Sequence, residues 1–422
     1  MNPANELKKL REKGFFHLIV SNYSVQLIVF AAHLLIAKIM TPYYVGVIKT
    51  IETYVNIGIV LGSGGMIFAI LKIVPDERYR QHMKEVFHYA LRYIILFSLL
   101  IFVIAEIWGF ARLISMDEYL NDWFCRYALI IVPAVILQFF IRYYQALHEF
   151  KRISLLVFYS KLLSIIIILS MTWFFYLKGY IFSSVITTTL IVLFLSYDLQ
   201  LRLSALIHPG IPDRLKQHLK HLSTHAFTAQ IVDQIKLQGG YLMTNYLITD
   251  RVLFGQYSFA LIIVQGLNIF TSSVQQFIIP KLASKVTDPV AYRKTLRKFE
   301  NWFGFIAALA VMILIIFLPW FLGLIFGSKY DSAMPLLRWL LIGWFINALA
   351  ALKGAVFLTL GKMKYIALIS GLIILFVFPV AYYLISHFGV KGTAWTFVLQ
   401  SLVSTLLLLI FTKYILNRYA QS

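Results

Sequence analysis

The chain has 422 residues, of which 60% are hydrophobic and 13% charged, with a formal net charge of +20. A water-soluble protein of this composition would expose far more apolar surface than water tolerates, so the solvent implied is a bilayer. The basic residues sit in short connections between apolar runs, which argues against a nucleic-acid groove, and the lone Cys125 excludes an intramolecular disulfide or a cysteine metal cluster.

The opening MNPANELKKLREKG is polar and leads straight into a full-length apolar run, so no removable signal peptide is expected. Crossing the hydrocarbon takes about 20 apolar residues in a helix. Runs of that kind predict spans at 15–38, 45–73, 87–110, 123–146, 154–176, 180–199, 226–248, 254–279, 302–325, 334–356, 365–386 and 392–414. The second is long enough to tilt or to project past the lipid, and its Gly62, Gly64 and Gly65 supply either a bend or close packing. Pro133, Pro319 and Pro379 fall within spans, where neighbouring helices can satisfy the freed backbone. The N-terminal segment, the even-to-odd connections and the C-terminal tail hold about 23 Lys and Arg, against about 6 in the opposite loops. Both termini are therefore expected in the cytoplasm. The outer loops are too short for an extracytoplasmic catalytic domain.

The two halves echo each other in collinear order. Gly46 and Gly255 open spans two and eight, and Lys72 and Lys281 follow them at the same interval. Tyr119 with Arg126 parallels Tyr330 with Arg338; Phe150-Lys151-Arg152 parallels Met363-Lys364; Gly179 in Lys178-Gly179-Tyr180 parallels Gly392 in Lys391-Gly392-Thr393. Six spans per half is an even number, so the repeat is parallel, about an axis along the membrane normal. The expected architecture is all-α, about 12 transmembrane helices in two parallel six-helix lobes around a central cavity. Residues 1–200 form the first lobe, 201–225 a cytoplasmic linker and 226–422 the second lobe.

Ionisable groups within spans are costly, so each is a functional candidate until a partner is found. Lys49, Glu52 and Asn56 share one face of span two; Gln230, Asp233, Gln234 and Lys236 lie mid-span in seven; Asn22 and Gln26 lie in span one; Gln265, Asn268 and Gln275 lie in span eight. Lys49–Glu52 and Asp233–Lys236 also have the spacing of structural ion pairs. Arg92, Arg142 and Lys353 are within snorkelling reach of cytoplasmic headgroups, whereas Arg126, Lys161 and Arg338 have a cavity role as an open alternative. The excess of cations over carboxylates suits an anionic ligand such as a phosphate or diphosphate. The candidate cavity set is thus Lys49, Glu52, Arg126, Lys161, Asp233, Lys236, Arg338, Asn22, Gln26 and Asn268, with Glu52 and Asp233 as candidates for binding a coupling proton or sodium ion. The histidines, mostly in loops, show no metal-ligand spacing, and no nucleotide-binding loop or nucleophile motif is visible. No catalytic residue, metal or cofactor is expected.

Three segments carry a family resemblance: Ala37–Pro75 (AKIMTPYYVGVIKTIETYVNIGIVLGSGGMIFAILKIVP), Thr249–Ala283 (TDRVLFGQYSFALIIVQGLNIFTSSVQQFIIPKLA) and Leu324–Lys364, with FGSKYDSAMPLLRWLLIG and LTLGKMK, followed by HFGVKGTAWTFV. With these the chain resembles, along nearly its whole length, the Wzx-like O-antigen and capsule repeat-unit flippases of the multidrug and polysaccharide exporter superfamily. The resemblance implies transfer of an undecaprenyl-diphosphate-linked oligosaccharide from the cytoplasmic to the periplasmic leaflet of a bacterial inner membrane. It also implies membrane lipids as partners, with polymerase and chain-length components of the same pathway as candidates. Flippases of the peptidoglycan precursor usually carry further helices, and the chain stops soon after span twelve. Two other readings remain at this point: a cation-coupled multidrug exporter of the same fold, which would favour an acidic cavity, and a membrane glycosyltransferase or polymerase acting on the same lipid carrier.

Overall fold

The computed structural model describes residues 15–115, 117–199 and 210–419, with side chains from residue 23 onward. Among these residues there is no strand. The first half comprises α1 (Phe15–Ile39), α2 (Pro42–Gly62), α3 (Met66–Ile73), α4 (Met83–Phe110), α5 (Glu118–Ala128), α6 (Ile131–Ala146) and α7 (Phe150–Asp198). The second comprises α8 (Asp213–Leu247), α9 (Arg251–Ala283), α10 (Pro289–Phe326), α11 (Ala333–Ala351), α12 (Lys353–Thr359) and α13 (Lys364–Tyr419). Short aspartates start several of them. Asp117 accepts from the Tyr119 N–H, Asp250 from Val252 and Leu253, and Asp288 from Val290 and Ala291, with Pro289 at the first helical position.

Among the described residues seven helices are long and apolar enough to cross a bilayer, or eight when the bent pair α5–α6 is taken as one span. Two of the seven, α7 and α13, each hold two crossings. A Cβ at Gly179 would collide with the carbonyl oxygen of Met171, eight residues earlier. Along a straight helix eight residues span about 12 Å, so the chain doubles back. It does so at Tyr176 (φ 51°, ψ −131°). The same collision, Gly392 on Leu384, marks the reversal of α13 at Gly389 (φ 56°, ψ −134°). With α1 and α8 added, the count agrees with the twelve predicted helices.

The glycines of the second run both bend the chain and pack closely. Gly64 and Gly65 take positive φ between α2 and α3, and a Cβ on Gly65 would strike the backbone of Ser223 and Phe227. Pro133 falls in the first turn of α6, just past the 43° bend, where its missing N–H costs nothing. Pro319 lies inside α10 and Pro379 inside the first arm of α13, before its reversal at Gly389.

Contacts divide the chain into one unit of residues 1–39 and 48–234 and another of 40–47 and 235–422. Residues 213–225, expected as connection, form the first turns of α8, where no Gly or Pro interrupts the helix. In the first unit α1 lies along α7, and α6 packs on α4 and α7, with Phe87 meeting Phe139 and Tyr143 in its core. In the second, α11 packs on α9 and α13, and Phe259 stacks on Tyr330. The first turn of α2 belongs to this second unit, because Gly46 and Gly255 meet there backbone to backbone. A Cβ on Gly46 would lie 3.1 Å from the Gly255 Cα, and one on Gly255 would strike the Pro42 carbonyl. The pair that marked the repeat in sequence is thus a direct contact. Repeat-related helices also share an environment: α2 and α9 are 56% and 61% buried over their apolar windows, whereas α4 and α10 are each 17% buried and offer their rings to lipid.

Candidate functional site

A buried polar cluster occupies the first unit. Glu52, on α2, accepts hydrogen bonds at Oε1 from the Tyr180 hydroxyl and from His33 Nε2 at 3.3 Å. His33 Nδ1 lies 2.8 Å from the Val29 carbonyl one turn back on α1. Each imidazole nitrogen thus faces an oxygen, a pair of contacts that an imidazolium fits. Lys49, one turn from Glu52, is within electrostatic range of the same carboxylate. Tyr180 follows the tight Gly179 approach on the returning arm of α7, and its ring stacks on Tyr127 of α5 at 6.1 Å. The Glu52 side chain is 13% exposed. Two basic side chains and one carboxylate therefore gather within apolar helices, with the two phenols beside them.

The second unit holds a neutral counterpart. Tyr241 and Ser258 share a hydrogen bond at 3.1 Å, and Thr244 donates to Thr393 at 3.3 Å, all four side chains buried. Ser258 stands at the Gly46-to-Gly255 interval from Lys49, and Thr393 at the Gly179-to-Gly392 interval from Tyr180.

The candidate residues from the sequence fall as follows. In the first unit, Lys49 and Glu52 come together as described, and Gln26 is half-buried on α1. The side chain of Asn22 lies outside the described residues. Arg126 is exposed on α5 with its guanidinium 4.4 Å from the Trp123 ring. Lys161 is half-buried on α7 in a crevice walled by Leu137, Ile141, Val157 and Leu195, and the Glu52 cluster contributes nothing to that wall. Asp233 is half-buried on α8. In the second unit, Lys236 is half-buried, and its carbonyl accepts from Gln400 at 3.2 Å; Asn268 and Arg338 are exposed. Gln275 donates to the Ala351 carbonyl at 2.7 Å, where α11 ends, and the Lys353 ammonium pairs with Glu300 at 2.7 Å. Among the described residues no three His, Cys, Asp or Glu side chains gather as a metal set.

Sequence reading missed His33, Tyr127 and Tyr180. His33 interrupts the apolar run AAHLLIA, and an ionisable group inside a span was the available signal. Tyr180 adjoins a repeat glycine but is itself unremarkable in sequence, and only the fold-back of α7 brings it to Glu52.

Residues 35–335 match the family described as polysaccharide biosynthesis protein. The chain belongs to that family. A Shigella flexneri protein described as a candidate O-antigen transporter is 25% identical to this family member over 169 residues, which is 40% of either chain. Among solved structures, an inward-facing multidrug-resistance MATE transporter of the MOP superfamily superposes with a TM-score of 0.72 at 11% identity, covering 96% of this chain and 99% of that one. The lipid II flippase MurJ superposes with a TM-score of 0.71 at 15% identity, covering 94% and 87%. At such identities the likeness is one of fold. This polysaccharide biosynthesis family member is accordingly a multi-pass helical membrane protein, and the relatives named above are described as transporters or a flippase.

Proposed function

We propose that the protein is a flippase that moves undecaprenyl-diphosphate-linked oligosaccharide repeat units from the cytoplasmic to the periplasmic leaflet of the inner membrane, with both termini cytoplasmic. The units serve surface polysaccharide synthesis, and a binding site is exposed to the two leaflets alternately. The observation that carries the reading is the gathering of two basic side chains, His33 and Lys49, at Glu52. A diphosphate is favoured there because its charge is offset by basic side chains already held at membrane depth. A cationic drug would meet the opposite arrangement, since the Glu52 carboxylate is already engaged by His33 and Tyr180. Arg126, Lys161 and Asp233 in the first unit, and Lys236, Asn268 and Arg338 in the second, are proposed as further contacts for phosphate and sugar hydroxyls. Asn22 and Gln26 join them on α1.

A proton suits the coupling role of Glu52 better than sodium. The Tyr180 hydroxyl and the His33 ring occupy Oε1, so a metal cation would have to displace them, whereas a proton exchanges within the His33–Glu52 pair. Asp233 is the second candidate for this role.

The test is a deletion strain scored for lipid-linked repeat units. Accumulation of full-length units on the cytoplasmic leaflet, relieved by the wild-type chain, is expected; normal surface polysaccharide in the deletion strain would end the reading. Alanine at Lys49, Asp233, Lys236 or Arg338 is expected to slow delivery without loss of the folded protein. Flipping in proteoliposomes that ignores both a pH gradient and a sodium gradient would remove the coupling proposal alone.

A further inference from the structure

The two hairpin reversals have the same shape and different residues. At φ near 55° and ψ near −130° a β-carbon is strongly disfavoured, and Gly389 meets that demand in α13. In α7 the position is Tyr176. Two other first-half turns also place a side chain at positive φ, Arg112 and His148, and each has a local partner: Arg112 pairs with Glu118, and the His148 ring contacts Phe150. Tyr176 differs, for its ring makes no hydrogen bond or ring contact to another described residue and is 57% exposed. Trp173 and Phe174, just before it, are exposed and likewise unengaged. These rings open onto a groove of about 900 Å³ between α1 and α7, whose wall also includes Leu35, Lys38, Ile39, Leu169 and Ser170. Its volume is that of a small-ligand site.

An interfacial aromatic anchor is indifferent to backbone conformation and could stand at any neighbouring position. A tyrosine held at a glycine position beside a groove needs another reason. We propose that this groove is a saccharide subsite of the first unit, in which a sugar ring of the transported oligosaccharide lays its C–H face on the Trp173 and Tyr176 rings. Lys38 and Ser170 supply hydrogen bonds to its hydroxyls. Stacking fits this ligand because a pyranose is amphipathic, with an apolar face and a hydroxyl rim, and the groove offers rings on one part of its wall and polar groups on another. The subsite rests on the oligosaccharide reading above and adds to it the place where sugar is held.

The experiment uses the full chain in zwitterionic phosphatidylcholine nanodiscs, with maltotetraose, chitotetraose and a galactose tetrasaccharide as probes, read by saturation-transfer NMR. At least one probe is expected to receive saturation from the wild-type protein. Trp173→Ala and Tyr176→Gly should each weaken that probe's binding roughly tenfold, the loss of one ring contact. Tyr176→Gly should at the same time raise the thermal midpoint, so that stability and binding move in opposite directions. Unchanged binding in Tyr176→Gly would overturn the subsite, as would no transfer to any probe. A transfer signal that appears only for the headgroup protons of added phosphatidylglycerol would overturn it in favour of a lipid contact. If the deletion strain accumulates lipid-linked units but both variants complement and bind as wild type, the subsite alone falls and the flippase reading stands.

Discussion

The first unit keeps its buried polar centre charged, and the second keeps the corresponding positions neutral. Where Lys49 and Tyr180 both serve the Glu52 carboxylate, Ser258 and Thr393 join hydroxyls. Equivalent helices can thus carry different electrostatics on one backbone plan, because plan and polarity are set by different residues. The plan depends on glycines that permit close backbone approach, as at Gly179 and Gly392. The polarity depends on side chains that can change without moving those approaches. The hairpin turns repeat the lesson in conformational terms: Arg112, His148 and Tyr176 take positive φ in the first half, and Gly327, Gly361 and Gly389 take it in the second.

The largest expected effect breaks the electrostatic half of the comparison. Glu52→Leu leaves His33 and Lys49 as uncompensated cations and should cost about 3–5 kcal/mol, whereas Thr393→Val in the neutral cluster should cost about 1 kcal/mol. Equal losses in thermal unfolding of the two purified variants would refute the distinction. Next come the shared approaches. Gly179→Ala and Gly392→Ala each force a β-carbon onto a carbonyl oxygen and should destabilise by on the order of 3 kcal/mol, equally in the two halves. Folded yield in membranes measures this, and tolerance of only one would show that the hairpins are not equivalent.

Smaller effects sharpen the turn comparison. Gly389→Ala should lower stability by about 1–2 kcal/mol through its positive φ, and Tyr176→Gly should raise it by about 1 kcal/mol. Destabilisation by Tyr176→Gly would mean that the tyrosine is held by packing and not against strain. Lys353→Met together with Glu300→Leu should lie within about 1 kcal/mol of wild type, while either change alone should cost more, since each strands the other charge.

The sequence by itself determined the twelve crossings, the parallel repeat and the family. The crossings and the repeat follow from quantities that need no partner, namely the length of apolar runs, the intervals between glycines and the cost of leaving backbone groups unpaired in hydrocarbon, and the family from the resemblance carried by segments such as Ala37–Pro75. Gly46 and Gly255 were legible as a repeat pair, and Lys49 and Glu52 as costly residues on one face. Tertiary structure decided which side chains answer those charges. His33 and Tyr180 reach Glu52 across 19 and 128 residues, and the second distance closes only because α7 reverses at Tyr176. The same holds for Lys353, whose ammonium finds Glu300 across 53 residues. A buried charge is settled by whichever partner packing brings within hydrogen-bond reach, and that partner is fixed by helix packing in three dimensions, not by spacing along the chain.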